Sequence, residues 1–239
     1  MAAAPVPTPA QRAAFEQATG RRLPTPEAGR TLRALLLDGA HKSGRQDWPG
    51  AVRDYRAAGD LCRAEGLVAE EASVLVALAS LCLGMGLRDQ AREAYERSAT
   101  VAGGGGLHAI ACQARMGAAG VLLIEGQHHR AALAYEGAAE AAKAGAAPLL
   151  RIESLRLAGT CHATRGEERD AMRCWQAAVD EGAAADDATR AVSTLAGAGE
   201  ALAAVLTRHG LHAQAAHVRA LVRPPAVEGA ADPEGLSHA

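Results

Sequence analysis

Three histidines, His209, His212 and His217, flank the glycine at position 210, and the pair His128-His129 follows Gly126 at a similar offset. Imidazole is a common zinc ligand, but a zinc centre needs three or four ligands converging within bonding distance, and no cysteine lies nearby in sequence. The plainer reading is solvated turn residues that place a cation near a helix end. The sequence predicts no metal. Among the carboxylates, Asp186-Asp187 stands at an expected helix start, where negative charge is favoured by the helix dipole. Glu153 and Glu200 could face a common surface, but no substrate pocket is indicated beside them. Two glycine clusters, AGGGG at 102–106 and GAG at 197–199, have the composition of phosphate loops. Neither follows a strand, and the second sits inside a helical pattern, so phosphate binding is not expected. No nucleophile, base and orienting group stand at a recognisable spacing. The chain is read as a non-enzyme without a cofactor.

Composition narrows the class further. Of 239 residues, sixty are alanine, three isoleucine and one phenylalanine, with two lysines against 23 arginines. That mixture favours helix over sheet. The Ala, Gly and Arg bias, with no asparagine, suggests a GC-rich bacterial genome. The formal charge is −2, with 25 basic and 27 acidic side chains and no long run of either sign. This gives no electrostatic footprint for nucleic acid or anionic lipid. The start MAAAPVPTPAQR lacks a basic, apolar signal, and no segment approaches a membrane span, so a cytoplasmic protein without membrane insertion is expected. Five cysteines (Cys62, Cys82, Cys112, Cys161, Cys174) at irregular spacing read as reduced, buried thiols.

The elements that must position any site follow from a repeat. PGAVRDYRAAG, DQAREAYERSA, HRAALAYEGAA and RDAMRCWQAAV align in one frame at a spacing of 40 residues. Ala51, Ala91, Ala131 and Ala171 fall in one column, Tyr55, Tyr95, Tyr135 and Trp175 in a second, and Ala58, Ser98, Ala138 and Ala178 in a third. Gln46, Gly86, Gly126 and Gly166 precede the first column by five residues, and Gly39, Ala79, Ala119 and Gly159 by twelve. Small residues four and seven apart share a helical face with the ring between them, so a neighbouring helix can approach closely while the ring fills the remaining space. A glycine able to take a positive φ separates this helix from the preceding one. Each unit is therefore two antiparallel helices, A and B.

This pattern resembles the tetratricopeptide repeat over roughly residues 26–222, in a variant longer than the usual 34-residue unit. The resemblance implies an all-α, right-handed α-solenoid of antiparallel helix pairs. The longer unit looks like the extended variant of some vesicle-fusion and bacterial adaptors or sensors. A fifth unit is degenerate: Gly210 and Ala215 keep their places, and Arg219 replaces the aromatic, as terminal repeats often do. The expected organisation is an N-terminal segment, 1–25, with a short helix near 9–19, a repeat domain of about five helix pairs, 26–222, and a disordered tail, 223–239. Helix A1 is expected over about 26–43, then pairs over about 49–65, 68–84, 88–102, 107–125, 128–144, 147–165, 168–182, 186–208 and 212–222. Gly103–Gly106 is expected as a four-glycine loop.

In the resembled family the inner groove is formed mainly by helix A. Carried over by position, the partner-binding candidates are Arg33, Leu36, Ser73, Val76, Ser80, Gln113, Met116, Gly120, Leu123, Glu153 and Arg156, with Ala40, Ser43, Leu83, Thr160 and Ala163 completing the columns. The middle of this surface is small and apolar and its margin polar, which suits an amphipathic helix or an apolar extended segment. Leu36, Val76, Met116 and Leu123 could equally pack between units. Repeat proteins that clamp acidic chaperone tails use lysines and asparagines here, and neither Lys42 nor Lys143 falls in these columns. The expected function is a protein-interaction scaffold, adaptor or chaperone for a protein or peptide partner, as an accessory to a bacterial secretion or assembly machine. Two alternatives stand beside it, a peptide-sensing regulator and a self-assembling, homo-oligomeric structural protein.

Overall fold

A computed structural model describes residues 8–185 and 193–223. The acidic pair Asp186-Asp187 and all of the expected tail beyond Arg223 lie outside the described residues. The described chain is helical, with no strand among those residues: α1 (Pro9–Thr19), α2 (Pro26–Gly44), α3 (Trp48–Glu65), α4 (Val68–Gly84), α5 (Arg88–Gly104), α6 (His108–Ile124), α7 (His128–Ala144), α8 (Pro148–Thr164), α9 (Glu168–Ala184), α10 (Ser193–Arg208) and α11 (His212–Leu221). No helix among the described residues is long and apolar enough to cross a membrane. Helices α2 to α11 form five antiparallel pairs, A then B, stacked into a right-handed solenoid.

The two Thr-Pro dipeptides start helices for a local reason. Thr8 and Thr25 each accept an N–H from the first turn, and the proline that follows has no N–H to leave unpaired. Gln11 returns a bond to Thr8, completing a capping box. Arg12 holds α1 against the chain by donating to the Leu23 and Pro24 carbonyls.

One turn geometry recurs along the molecule. Left-handed residues stand at Gln46, Gly66, Gly86, Gly106, Gly126, Ala146, Gly166 and Gly210. At each, two backbone bonds close the helix end; the Gly66 N–H reaches Arg63 O at 3.2 Å and the Leu67 N–H reaches Cys62 O at 2.8 Å. This pairing satisfies two orphan carbonyls of the helix. A left-handed conformation costs a non-glycine residue about 1–2 kcal/mol, and Ala146 takes it at φ 48°. Glycine at 146 loses that strain but frees the unfolded chain by about 0.4–1 kcal/mol. Ala146→Gly should therefore raise stability by roughly 0.5 kcal/mol, visible as a higher denaturant midpoint at unchanged slope.

The four-glycine loop is corrected by this geometry. Gly103 and Gly104 are the last residues of α5, and the turn is made by Gly105 and Gly106 alone. Gly106 supplies the left-handed residue. Gly105 is required by space, since a Cβ there would lie 2.6 Å from Val68 Cγ1. Nothing in the structure explains the glycines at 103 and 104.

The repeat columns meet inside the stack. Ala51, Ala91, Ala131, Ala171, Ala58, Ser98, Ala138 and Ala178 are all 0% exposed. Tyr95, Tyr135 and Trp175 are buried, and Tyr55, in the first unit, is half-buried. Gly39 lies beneath the Tyr55 ring, where a Cβ would stand 3.3 Å away, and Gly159 beneath Trp175 at 2.5 Å. The Ser98 hydroxyl, buried between helices, donates to Ala72 O at 2.8 Å. In the fifth pair Ala215 is buried, and Arg219 points outward to Glu200 at 3.1 Å. All five cysteines are free and buried.

Candidate functional site

Contacts between units are asymmetric. From the second unit on, successive A helices touch one another (α4 with α6, α6 with α8, α8 with α10), whereas the B helices α3, α5 and α7 make little direct contact and α9 meets α11 less closely. The stack therefore curves with its A helices on the inside. The inner surface is built from one face of each A helix, because residues three, seven and ten places apart share a face.

Along that face Leu36, Val76, Met116 and Leu123 are half-buried: each packs one side against a core cluster and leaves the other accessible. Met116 packs against two clusters, one of α6 and α7 residues and one reaching from α6 to α9. Arg33, Ser73 and Gln113 are exposed along one margin, and Gly120 is half-buried at the surface, where a Cβ would meet the Tyr135 hydroxyl at 3.7 Å. Ser80 hydrogen-bonds the Tyr95 hydroxyl at 2.9 Å, tying the inner surface to the ring column. Glu153 and Arg156 face each other in a two-pronged ion pair, at 3.1 and 2.8 Å. This pair leaves the fourth unit locally neutral, and Glu153 holds the Arg156 guanidinium charged. Glu200 is engaged with Arg219 instead. A hollow of about 400 Å³ opens between α2 and α4, lined by Ser43, Trp48, Tyr55, Ala77 and Ser80.

The outer surface carries clefts between successive B helices. One, of about 830 Å³, lies between α9 and α11 over α10, with Met172, Leu202, Leu206 and Leu221 forming its apolar floor and Arg169 and Arg173 its rim. The histidines at the Gly210 turn do not gather: His209 pairs with Glu168 at 3.1 Å and is half-exposed.

A polar cluster that the sequence reading did not single out lies between the third and fourth units. His162, in the last turn of α8, contacts Glu167 Oε2 through Nδ1 at 2.7 Å and Glu136 Oε1 through Nε2 at 3.2 Å. The Cys174 thiol donates to the same Glu136 oxygen at 3.4 Å, and the Arg173 guanidinium lies 3.0 Å from it. His162 and Cys174 are buried, and Glu136 is half-buried. Burial, with Glu136 beside it, pushes the Cys174 thiol up to about 12. Hydrogen bonds from His162 and Arg165 hold the Glu167 carboxyl below the ordinary range. Three helices supply these residues, so no local motif marks them. The available signal was the repeat frame, in which His162 occupies the column of Lys42, Cys82 and Leu122.

The architecture is a helical-repeat solenoid of the tetratricopeptide type. It is similar to the apo form of RapI, with a TM-score of 0.66 and 15% identity, over 86% of this chain and 55% of that one. It is also similar to the nearly identical TPR-like repeats of a kinesin light chain from Podosopora anserina, with a TM-score of 0.56 and 15% identity, over 83% of this chain and 96% of that one. A third similar structure is a Rap protein complexed with competence and sporulation factor, with a TM-score of 0.50 and 14% identity, over 79% of this chain and 52% of that one. The chain thus spans about half the length of the two Rap proteins it resembles. No family model matches the sequence, and no curated protein matches it significantly.

Proposed function

We propose that this protein is a non-catalytic adaptor or chaperone that holds a peptide segment or helix of a partner protein on its concave face. The observation that carries the reading is the row Leu36, Val76, Met116 and Leu123, half-open on the inner side and edged by Arg33, Ser73 and Gln113. Such a row offers apolar contact at helical spacing, with polar groups to fix direction. The likeness to a Rap protein complexed with competence and sporulation factor favours one second reading, a regulator that senses a peptide.

The test is to select peptide ligands from a random library with the full chain and to measure their affinity by fluorescence anisotropy. Met116→Glu should weaken binding at least tenfold, since an unpaired carboxylate facing an apolar ligand costs about 1.4 kcal/mol or more. Gln113→Trp, at an exposed position one helical turn away, blocks the same surface without entering the core. Selected ligands that bind both variants as tightly as the parent remove the concave face from the account.

A further inference from the structure

We propose that Glu136, His162 and Cys174 form a binding site for a borderline-soft divalent cation, zinc foremost, at the junction of the third and fourth units. Among the described residues this is the one place where three such donor atoms lie within 4.8 Å of one another.

The argument begins with the histidine tautomer. Glu167 accepts a hydrogen bond from Nδ1 at 2.7 Å, which places the proton on that nitrogen and leaves the Nε2 lone pair aimed at Glu136 Oε1, 3.2 Å away. Two lone pairs at that distance repel, so a positive centre belongs between them, either a second proton or a metal ion. A carboxylate behind the imidazole is the arrangement that orients histidine ligands and raises their basicity. With a proton there Cys174 only donates to Glu136, whereas a metal makes its sulfur a third ligand.

The spacing fits. Zinc bonds of roughly 2.0–2.3 Å imply tetrahedral edges of about 3.3–3.7 Å. The two edges meeting at Glu136 Oε1 measure 3.2 Å to Nε2 and 3.4 Å to Cys174 Sγ. The charges fit as well: binding sends the Cys174 thiol proton to solvent, and one thiolate, one carboxylate and a neutral imidazole balance a dication. Arg173 is the local competitor. Its guanidinium holds the Glu136 oxygen at 3.0 Å, is 64% exposed, and also contacts Asp170, so it can swing away without losing every partner.

An entry route is part of the repeat. Arg56, Cys82 and Ala94 stand 80 residues before the three donors and line an open cleft of about 280 Å³ between α3 and α5. The donors stand at the equivalent positions on α7, α8 and α9, and Glu136 among them is half-buried rather than enclosed. In the first unit, Lys42 and Asp54 occupy the columns of His162 and Cys174 and meet at 2.7 Å, so these columns bring side chains into direct contact.

The test uses the full chain stripped of metal. Cobalt(II) should bind one per chain, with the intense visible bands of a tetrahedral centre and a thiolate charge-transfer band. Zinc should displace it and raise Tm. Cys174→Ser should abolish the charge-transfer band, while Cys161→Ser, at another buried thiol, should leave it. Glu167→Gln should lower zinc affinity about 10–100-fold through the orientation of His162, and Arg173→Ala should raise it. His209→Ala with His212→Ala should change nothing. Absence of the thiolate band in the wild-type protein, or zinc uptake lost in the His209 and His212 variant, overturns the proposal. The wild-type spectrum decides the matter even if a variant fails to fold.

Discussion

Trp175→Ala should remove about 4 kcal/mol of stability and lower Tm by roughly 10 °C, as truncation of a buried aromatic in a chain of this size does. Trp175 is 5% exposed and lies between α8 of its own unit and α10 of the next, among Ile152, Leu155, Leu195, Ala198 and Leu202. The indole also donates to the Arg156 carbonyl at 3.3 Å, so truncation leaves a helix oxygen with one partner fewer. The backbone beneath cannot sink to close the gap, because Gly159 is already as near as a residue without Cβ allows. A solenoid couples each unit only to its neighbours, so the loss should be local. Hydrogen exchange should show α8, α9 and α10 losing protection while α3 and α4 keep theirs. A Tm within about 3 °C of the parent, or uniform loss along the chain, contradicts the packing role given to this column.

The frame of this fold is legible because its signals are short-range and repeated. The α7 boundaries follow from Gly126 and the small stripe of Ala131 and Ala138, and the Thr-Pro starts of α1 and α2 follow from capping chemistry alone. Turns closed by glycine are readable from one residue type. Those at Gln46 and Ala146 keep the same backbone without it, because the flanking helices already determine where the chain must reverse. The run at 103–106 does not show which of its glycines make the turn, because glycine content says nothing of register, which is set by the left-handed residue at 106. The surface residues are less legible: that Leu36, Val76, Met116 and Leu123 are half-open depends on the angle between units, which no single helix encodes. The cluster at Glu136, His162 and Cys174 lay deeper still. Its members are 26 and 38 residues apart along the chain, and only stacking of the third unit on the fourth brings them together.

That stacking angle is set by close approaches such as the one at Gly117, and the second large effect is expected there. A Cβ at 117 would lie 2.4 Å from Tyr95 Cε1, so the ring of the second unit rests directly on the α6 backbone of the third. The ring cannot turn aside cheaply: Ser80 holds its hydroxyl at 2.9 Å, and Leu78, Ala94, Ala118 and Val121 pack around it. Gly117→Leu sets two effects against each other. Leucine is the better helix former by about 0.8 kcal/mol. Forcing a side chain into a filled contact costs about 3 kcal/mol. Packing wins, and the variant should lose roughly 2 kcal/mol despite its improved propensity. In a Tyr95→Ala background the sign should reverse, because the leucine then fills the space that the ring vacated and keeps its helix advantage. The coupling between the two changes should therefore exceed about 2 kcal/mol, far outside the additivity expected of independent sites. Equal cost of Gly117→Leu in both backgrounds, measured by urea unfolding, would mean that the ring does not set the spacing of the second and third units.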